Sequence, residues 1–308
     1  MGICARIKQK GSAMADLNQK VNMPTEKSGS KKALVIAVSV ICALLAVIIV
    51  FLACKNTIYF EIAKAKTESG DYYSALALCE QSSGDKNDAL EEYLKLRAEI
   101  NEFYPQLLLE FDINKINEWK ERTSMLGIYS DILGEQIISE AQNLFNTLSQ
   151  ISSLYSQYIS MRPDILSLME VFTEFNRLYT VDASGKNTAF TVSQELAKIS
   201  RWEQLNSNLT VYASSIPGSE SVYLLNYLIK EVQAECGELR QAMDSVIAMG
   251  YTQTDNIRLS GTAQKKFPSI QNSENESVSV AEKERYEAFM YEGICRKLAE
   301  NLGAFYSV

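Results

Sequence analysis

Apolar side chains fill the chain without a charged interruption from Ala33 to Cys54. Fourteen of these 22 residues are Leu, Ile, Val or Phe, and the run holds one hydroxyl group, on Ser39. At about 1.5 Å of rise per residue, a helix of this length covers roughly 33 Å, which matches a hydrocarbon core of about 30 Å. The pattern predicts a transmembrane helix over residues 33–54, with an insertion free energy of about −4 to −8 kcal/mol.

From residue 57 onward, the apolar positions recur at helical spacing. The clearest pattern predicts a helix over residues 132–160, where apolar residues follow alternating steps of four and three. The residues of this seam are Ile137, Ala141, Leu144, Leu148, Ile151, Tyr155 and Tyr158. Ile138, Phe145 and Ile159 widen the stripe, which favours a helix packed against several neighbours over a two-stranded coiled coil.

A second seam predicts another long helix, which starts after Pro217 and stops at Gly250. Ser219 or Ser221 is a candidate N-cap for this helix. Its apolar positions are Val222, Leu225, Ile229, Val232, Cys236, Leu239, Met243 and Val246. Two shorter helices are predicted before it, and a polar loop joins them. The two helices cover residues 164–179 and 191–214, and the loop covers residues 181–187.

These patterns predict an all-α fold: one N-terminal transmembrane helix followed by a membrane-tethered helical bundle or helical-repeat ectodomain. Proline ends helices because it lacks the backbone N–H group, so most prolines are predicted to fall at or near helix breaks. They are Pro105, Pro163, Pro217 and Pro268. The predicted segments are a short, basic, disordered cytoplasmic tail (1–32), the transmembrane helix (33–54), a helix pair (55–98), a helical bundle (99–249), a polar loop (250–280) and a C-terminal helix (281–308).

Basic residues are concentrated before the apolar run. Seven Lys or Arg residues precede it, whereas only Lys55, Lys64 and Lys66 follow it closely. Lys31, Lys32 and Lys55 flank the run and are predicted to anchor its ends at the two membrane surfaces. Because short flanking segments rich in Lys and Arg stay in the cytoplasm, we expect a single-pass protein of the plasma membrane with its N-terminus inside and its C-terminal domain outside the cytoplasm.

The net charge differs in sign between the two sides of the predicted membrane. Residues 1–55 carry a net charge of +6 and residues 56–308 a net charge of −14, which together make the −8 of the chain. A basic tail is attracted to anionic lipid at the cytoplasmic surface. An acidic ectodomain is repelled by phosphate backbones, so nucleic acid is not expected as a partner.

Two other interpretations of the apolar run stay open at this point. A cleavable signal peptide has an apolar core of about 7 to 15 residues, whereas this run holds 21 residues before Cys54. The segment from Phe51 to Cys54 has the outline of a bacterial lipoprotein site, although Phe and Leu fill its two earlier positions poorly. The length of the run favours a helix that stays in the membrane.

Histidine is absent from the chain. Its absence removes the usual Ser/His and Cys/His nucleophile pairs and most zinc sites, so the sequence predicts no catalytic residue, cofactor site or metal site. Three cysteines, Cys79, Cys236 and Cys295, lie in the predicted ectodomain. Each is expected to be a buried free thiol, or two of them form one disulfide and leave the third as a thiol.

Just after the apolar run, several residues stand at the spacing of a paired helical repeat. They are Tyr59, Ile62, Ala63, Gly70, Asp71, Tyr72, Ala75 and Leu76. Residues 57–98 therefore resemble a single degenerate tetratricopeptide helix pair, in which small residues let two antiparallel helices approach closely. Lys66 departs from the pattern because a large apolar residue is usual there, and the helical pattern that restarts at Gly84 predicts a short second helix. The resemblance implies a protein-binding scaffold of packed helix pairs.

The predicted function is a non-enzymatic, membrane-anchored helical scaffold that binds protein partners at the cell envelope. Four aromatic residues, Tyr72, Tyr73, Trp119 and Trp202, could anchor a partner or pack in the core. The same heptad seams could also join two copies of the chain, so a homo-oligomer is a second possible assembly. No partner-binding residue follows from the sequence alone.

The main alternative is a ligand-binding or enzymatic ectodomain that uses carboxylates, because paired acids can catalyse hydrolysis without histidine. Four acidic pairs are candidates: Glu91 with Glu92, Glu110 with Asp112, Glu170 with Glu174, and Glu235 with Glu238. The last two pairs are predicted to lie on single helix faces, where solvated surface is their alternative role. An envelope sensor that acts by recruitment is a third class.

Overall fold

The computed structural model describes residues 29–218, 222–260, 270–271, 277–278 and 283–306, and the side chains of residues 35–218, 222–260 and 285–306. Within these residues the fold is all-α, as predicted, and the few strands are two residues long. The chain divides into two compact units, residues 1–55 and residues 56–308. Most of the predicted tail 1–32 and the candidate caps Ser219 and Ser221 lie outside the described residues.

The first unit contains the apolar part of helix α1 (Gly29–Glu68). The side chains of residues 35–54 are exposed, and this helix is long and apolar enough to span a membrane. The helix begins before the predicted boundary at residue 33 and does not end at residue 54. It continues because the sequence places no Pro or Gly between Ser30 and Ser69.

The second unit is a helical bundle. Its elements after α1 are α2 (Tyr72–Cys79), α3 (Asp85–Leu107), α4 (Ile113–Met125), α5 (Ser130–Leu133), α6 (Glu135–Leu168), α7 (Glu170–Tyr179), α8 (Val192–Ser215), α9 (Tyr223–Ala248) and α10 (Lys283–Glu300). A 3₁₀ turn over Leu126–Tyr129 leads into α5, and another over Asn301–Phe305 follows α10. The long helix α6 packs against α4, α8 and α10, and α8 packs along α9.

The two predicted seams form much of the bundle core. In α6 every predicted seam residue is buried except Tyr155, which is half-buried, and in α9 every one is buried except Ile229, which is half-buried. Ile159, predicted to widen the α6 stripe, is exposed. Helix α9 ends just before Gly250, whose φ of 92° suits glycine at a helix end. The heptad pattern therefore identified the buried faces of both helices.

One proline does not break a helix where the sequence predicted a break. Pro163 lies inside α6, whereas Pro105 lies near the end of α3 at Leu107, as predicted. The predicted helices 132–160 and 164–179 are instead divided at Met169, because Ile165 and Leu168 continue the buried face of α6 past Pro163. Burial of two large apolar side chains outweighs the loss of one backbone hydrogen bond.

The predicted segment boundaries need two further corrections. The division at residue 98 falls inside α3, whose buried Ile100 and Leu107 belong to the same core as the residues before it. The segment 250–280, predicted as a polar loop, contains short strands. Strand β2 (Asn256–Ile257) pairs with β1 (Phe190–Thr191), and β3 (Ile270–Gln271) pairs with β4 (Ser277–Val278). Burial of the cross-strand pair Phe190 and Ile257 gives the β1–β2 pairing its apolar contact.

Candidate functional site

One candidate site lies between α7 and α8. Its lining residues, which we call the charged cleft, are Glu170, Thr173, Glu174, Lys198, Arg201 and Trp202, and they enclose about 420 Å³. Glu170 and Glu174, predicted as a carboxylate pair on one helix face, both line this cleft. The pair therefore lies together, as the sequence predicted.

A network of four charged side chains fixes the wall of the charged cleft. Lys198 Nζ lies 2.6 Å from Glu174 Oε1 and 3.1 Å from Glu195 Oε1. Arg177 Nη2 lies 3.0 Å from Glu195 Oε1, and Arg177 Nε donates to Glu174 Oε1 at 2.9 Å. Each helix supplies one acid and one base three residues apart, which places both on one helix face. The network joins α7 to α8.

The two carboxyl groups of this network have pKa values shifted in opposite directions. Burial alone raises the pKa of Glu174, but hydrogen bonds from Arg177 and Lys198 outweigh it and lower the pKa to about 2. Burial and the neighbouring Glu174 carboxylate raise the pKa of Glu195. Carboxyl groups separated in this way can divide acid and base roles. Here, however, Arg177 and Lys198 both contact the carboxyl oxygens of Glu174 and Glu195. The main role of this arrangement is therefore to hold α7 and α8 together.

The other acidic pairs have separate surface or structural roles. Glu91 pairs with Lys95 within α3, whereas Glu92 accepts a hydrogen bond from Arg122 of α4. The Asp112 carboxylate accepts hydrogen bonds from Asn114 N and Lys115 N and so caps the start of α4. The pair Glu235 and Glu238 is divided, because Glu235 is buried and Glu238 is exposed. None of these three pairs forms a shared carboxylate site among the described residues.

A second candidate site lies between α2, α3 and the 3₁₀ turn after α10. Its lining residues, which we call the aromatic cleft, are Tyr72, Tyr73, Leu76, Leu94, Arg97, Ala98, Asn101 and Phe305. Tyr73 is 71% exposed at the rim, and its hydroxyl accepts a hydrogen bond of 3.2 Å from Asn101 Nδ2. The enclosed volume is about 20 Å³. This space holds one water-sized group and is far smaller than a drug-like pocket.

Arg97 forms the floor of the aromatic cleft. Its Cζ atom lies 4.6 Å from the centroid of the Tyr72 ring and 5.6 Å from that of the Phe305 ring. Only 8% of the residue is exposed, and Arg97 is the only basic residue in the buried set of the described side chains. Stacking on aromatic faces suits a guanidinium group, which is planar and more weakly hydrated than an ammonium group.

An acidic side chain, Glu140, binds the hydroxyl of the tyrosine that stacks on Arg97. The Glu140 carboxylate accepts hydrogen bonds from the hydroxyls of Tyr93, at 2.6 Å, and Tyr72, at 3.5 Å. Within the described part of the chain, no carboxylate lies within 4.0 Å of the Arg97 guanidinium. Among the described residues, Arg97 is therefore a buried cation that stacks on aromatic rings and forms no ion pair with an acid.

The four aromatic residues proposed as partner anchors separate into two groups. Tyr72 and Tyr73 meet in the aromatic cleft, whereas Trp119 and Trp202 are buried in the bundle core and Trp202 also lines the charged cleft. Sequence reasoning missed Arg97 and Glu195, although the spacing of Glu195 and Lys198 could have indicated an intrahelical pair. The predicted anchor residues lie in α1, where Lys55 is half-buried and the side chains of Lys31 and Lys32 are outside the described residues.

The residues that resemble a tetratricopeptide pair lie at the junction of α1 and α2. Ala63 and Ala75 are buried, and Gly70, with a φ of 84°, forms the turn between the helices. Asp71 accepts a hydrogen bond from Ser74 N, and Lys66 Nζ lies 2.8 Å from the Asp71 carboxylate. The second helix is short, as predicted, since α2 has eight residues.

Cys79, Cys236 and Cys295 are buried free thiols, and none of the described cysteines forms a disulfide. Burial raises the pKa of Cys79 to about 11 and the pKa values of Cys236 and Cys295 to about 12. These thiols therefore stay protonated at neutral pH and act as small apolar core residues.

Comparison with known proteins assigns no family to this fold. No family model, no curated protein and no solved structure matches the chain. The identifiable features are thus an all-α bundle preceded by one helix that is long and apolar enough to span a membrane.

Proposed function

We propose that this protein is a non-enzymatic, single-pass membrane-anchored helical scaffold that binds a protein partner at the aromatic cleft. The observation that carries the proposal is the exposed ring of Tyr73 beside the buried cation of Arg97, which forms no ion pair within the described part of the chain. Tyr and Arg are enriched at protein interfaces because both combine a large contact area with a polar end. A shallow cleft of about 20 Å³ suits a protein surface better than a small molecule.

The proposed anchor is the apolar part of α1. Exposed apolar side chains over residues 35–54 need an apolar surrounding, and the hydrocarbon core of a bilayer supplies it. The excess of Lys and Arg before this segment supports a cytoplasmic N-terminus. We therefore place the bundle outside the cytoplasm at the plasma membrane. The resemblance of residues 57–98 to a tetratricopeptide pair supports a role in protein binding.

The proposed topology is tested by protease treatment of intact cells that express the full chain. We expect the protease to digest the bundle from outside and leave α1 with the membrane, and we expect alkaline carbonate to leave the chain in the vesicle fraction. A bundle that survives in intact cells but is digested in permeabilised cells would reverse the topology. Release of the chain from the vesicles by alkaline carbonate would contradict the proposed transmembrane anchor.

The proposed binding site is tested by a photo-crosslinking amino acid at position 73, introduced into the full chain in intact cells. We expect one reproducible protein adduct, identified by mass spectrometry. The matched control places the same group at Val211, which is 69% exposed on α8 and lies outside the cleft. Equal adducts from both positions, or none from position 73, would contradict the proposal.

The charged cleft supports a second candidate function, the binding of a small ligand. Its volume of about 420 Å³ is in the range of ligand pockets, and it presents acidic and basic groups side by side. Thermal unfolding of the full chain with a panel of zwitterionic amino acids tests this candidate. A ligand-induced rise in Tm that disappears in Arg201→Gln would favour the second function over the first.

A further inference from the structure

The buried guanidinium of Arg97 is the feature of the aromatic cleft that limits the chemistry of an occupant. Only 8% of Arg97 is exposed, and the rings of Tyr72 and Phe305 lie over its guanidinium. Burying a cation without an acidic partner costs free energy, because aromatic rings replace only part of the hydration. A carboxylate that reached the guanidinium would recover this free energy through short, charge-assisted hydrogen bonds.

The surroundings of Arg97 also limit the shape of the occupant. The space beside the guanidinium is about 20 Å³, enough for the end of one side chain. Around it, Leu76 and Leu94 supply apolar surface, and Tyr73 extends that surface to the rim. The cleft therefore offers one anion-binding point surrounded by apolar contacts.

We propose that the aromatic cleft binds a partner segment in which one acidic side chain, flanked by apolar residues, places its carboxylate on the Arg97 guanidinium. This inference rests on the proposed function and adds the chemistry of the partner to it. Neutral polar side chains would fit the same space but would leave the buried cation without an anion. The preference for acid over amide thus measures the role of Arg97 directly.

The neighbouring charges are compatible with a single acidic group. Glu140 accepts hydrogen bonds from the hydroxyls of Tyr72 and Tyr93, so two donors already engage its carboxylate. The net charge of −14 over residues 56–308 repels strongly acidic segments at long range. The occupant is therefore expected to carry one acid among apolar residues, and not an acidic run.

The test uses the full chain in lipid nanodiscs and two fluorescent hexapeptides with blocked ends. One peptide carries a single Glu flanked by Leu residues, and the other carries Gln at the same position. Fluorescence polarisation is expected to show at least tenfold tighter binding of the Glu peptide. In Arg97→Gln this ratio should fall to about one, and in Arg97→Lys it should be intermediate, because Lys lacks the planar group that stacks on the rings.

Two further variants keep the test decisive. Arg240→Gln removes an exposed arginine that pairs with Glu203, and it should leave the ratio unchanged. If circular dichroism shows that Arg97→Gln is unfolded, Tyr73→Ala replaces it as the cleft variant, because position 73 is exposed. Tyr73→Ala should weaken both peptides about equally, by roughly three- to tenfold, and so preserve the ratio.

Three results would overturn the inference: no binding of either peptide up to millimolar concentration, a ratio below about two in the wild type, or an unchanged ratio in Arg97→Gln. These results are distinct from failure of the proposed function. A protein adduct at position 73 without a preference for the Glu peptide would support the scaffold function and contradict the binding of a carboxylate by Arg97. Absence of the adduct would reject the scaffold itself.

Discussion

A partly or fully buried arginine lies beside the charged cleft and another lines the aromatic cleft, yet the two arginines have different surroundings. Arg177 contacts Glu174 on its own helix and Glu195 on the next, so its charge is used within the fold. Arg97 contacts two aromatic rings and no acid among the described residues. The partners across the helix interface, more than burial itself, therefore decide whether a buried cation has a structural role or is available to a ligand.

The largest expected effect contrasts the aromatic residues of the two clefts. Trp202 is buried against the core, so Trp202→Ala should lower the free energy of unfolding by about 3 kcal/mol. Tyr73→Ala should lower it by less than about 0.5 kcal/mol because the ring is exposed. Urea unfolding of the full chain in detergent micelles, followed by circular dichroism, measures both. Similar losses of unfolding free energy in the two variants would show that Tyr73 stabilises the fold as Trp202 does and is not available for a partner.

The next prediction concerns removal of one cation from the ion-pair network between α7 and α8. Arg177→Met leaves Glu174 and the buried Glu195 with one cation instead of two, and it should cost about 2 to 3 kcal/mol of unfolding free energy. The matched control is Arg240→Met, which removes an exposed ion pair and should cost less than about 1 kcal/mol. Equal costs in the same urea titration would show that the network does not join α7 to α8.

The free energy of unfolding is expected to depend on pH through the two carboxyl groups of the ion-pair network, Glu174 and Glu195. The pKa of Glu174 is lowered to about 2 in the folded chain, so its contribution is present above the unfolded value of about 4.3 and is lost as the pH falls toward 2. The raised pKa of Glu195 acts in the other sense, because its contribution decreases as the pH rises above the unfolded value.

Glu174→Gln isolates the first of these two contributions. The stability difference between wild type and Glu174→Gln should shrink between pH 5 and pH 2.5, by at most about 1.4 kcal/mol per pH unit. Val211→Ala removes no ionisable group and should differ from wild type by a constant amount. Urea titrations at several pH values measure both differences. A pH-independent difference for Glu174→Gln would mean that the network does not hold this carboxylate in its ionised form.

A smaller effect than that of Arg177→Met is expected at Arg97. Arg97→Met loses the cation–π contacts with Tyr72 and Phe305 but also removes a buried charge that lacks an acid, so it should cost about 1 kcal/mol or less. The same urea titration should therefore place it well below Arg177→Met. A loss as large as that of Arg177→Met would show that Arg97 is structural, and it would weaken the argument for a bound carboxylate.

The accuracy of sequence-based prediction differs among particular elements. The α6 and α9 seams were predictable because a period of about 3.5 residues marks which side chains leave water together. The continuation of α6 past Pro163 was not, since local propensity ends a helix there and only the buried positions of Ile165 and Leu168 reverse that preference. The β1–β2 pairing joins residues far apart in the chain, and no local pattern indicates such a pairing.

The residues of the candidate sites also separate into those that the sequence indicated and those that it did not. The sequence named Tyr72, Tyr73, Glu170 and Glu174, each because of a residue type that recurs in binding or catalytic sites. It missed Arg97, which becomes notable only when Phe305, more than 200 positions later, packs over its guanidinium. It missed Glu195 because the contact with Arg177 crosses from one helix to the next.

The sequence by itself determined the all-α class, the apolar helix suited to a membrane and the buried faces of the long helices. These properties depend on composition and on the period of apolar residues, which neighbouring positions set locally. Only the tertiary structure decided which arginine meets carboxylates and which meets aromatic rings. The physical reason is that the free energy of a buried charge depends on groups within a few ångströms, and those groups come from helices distant in the chain.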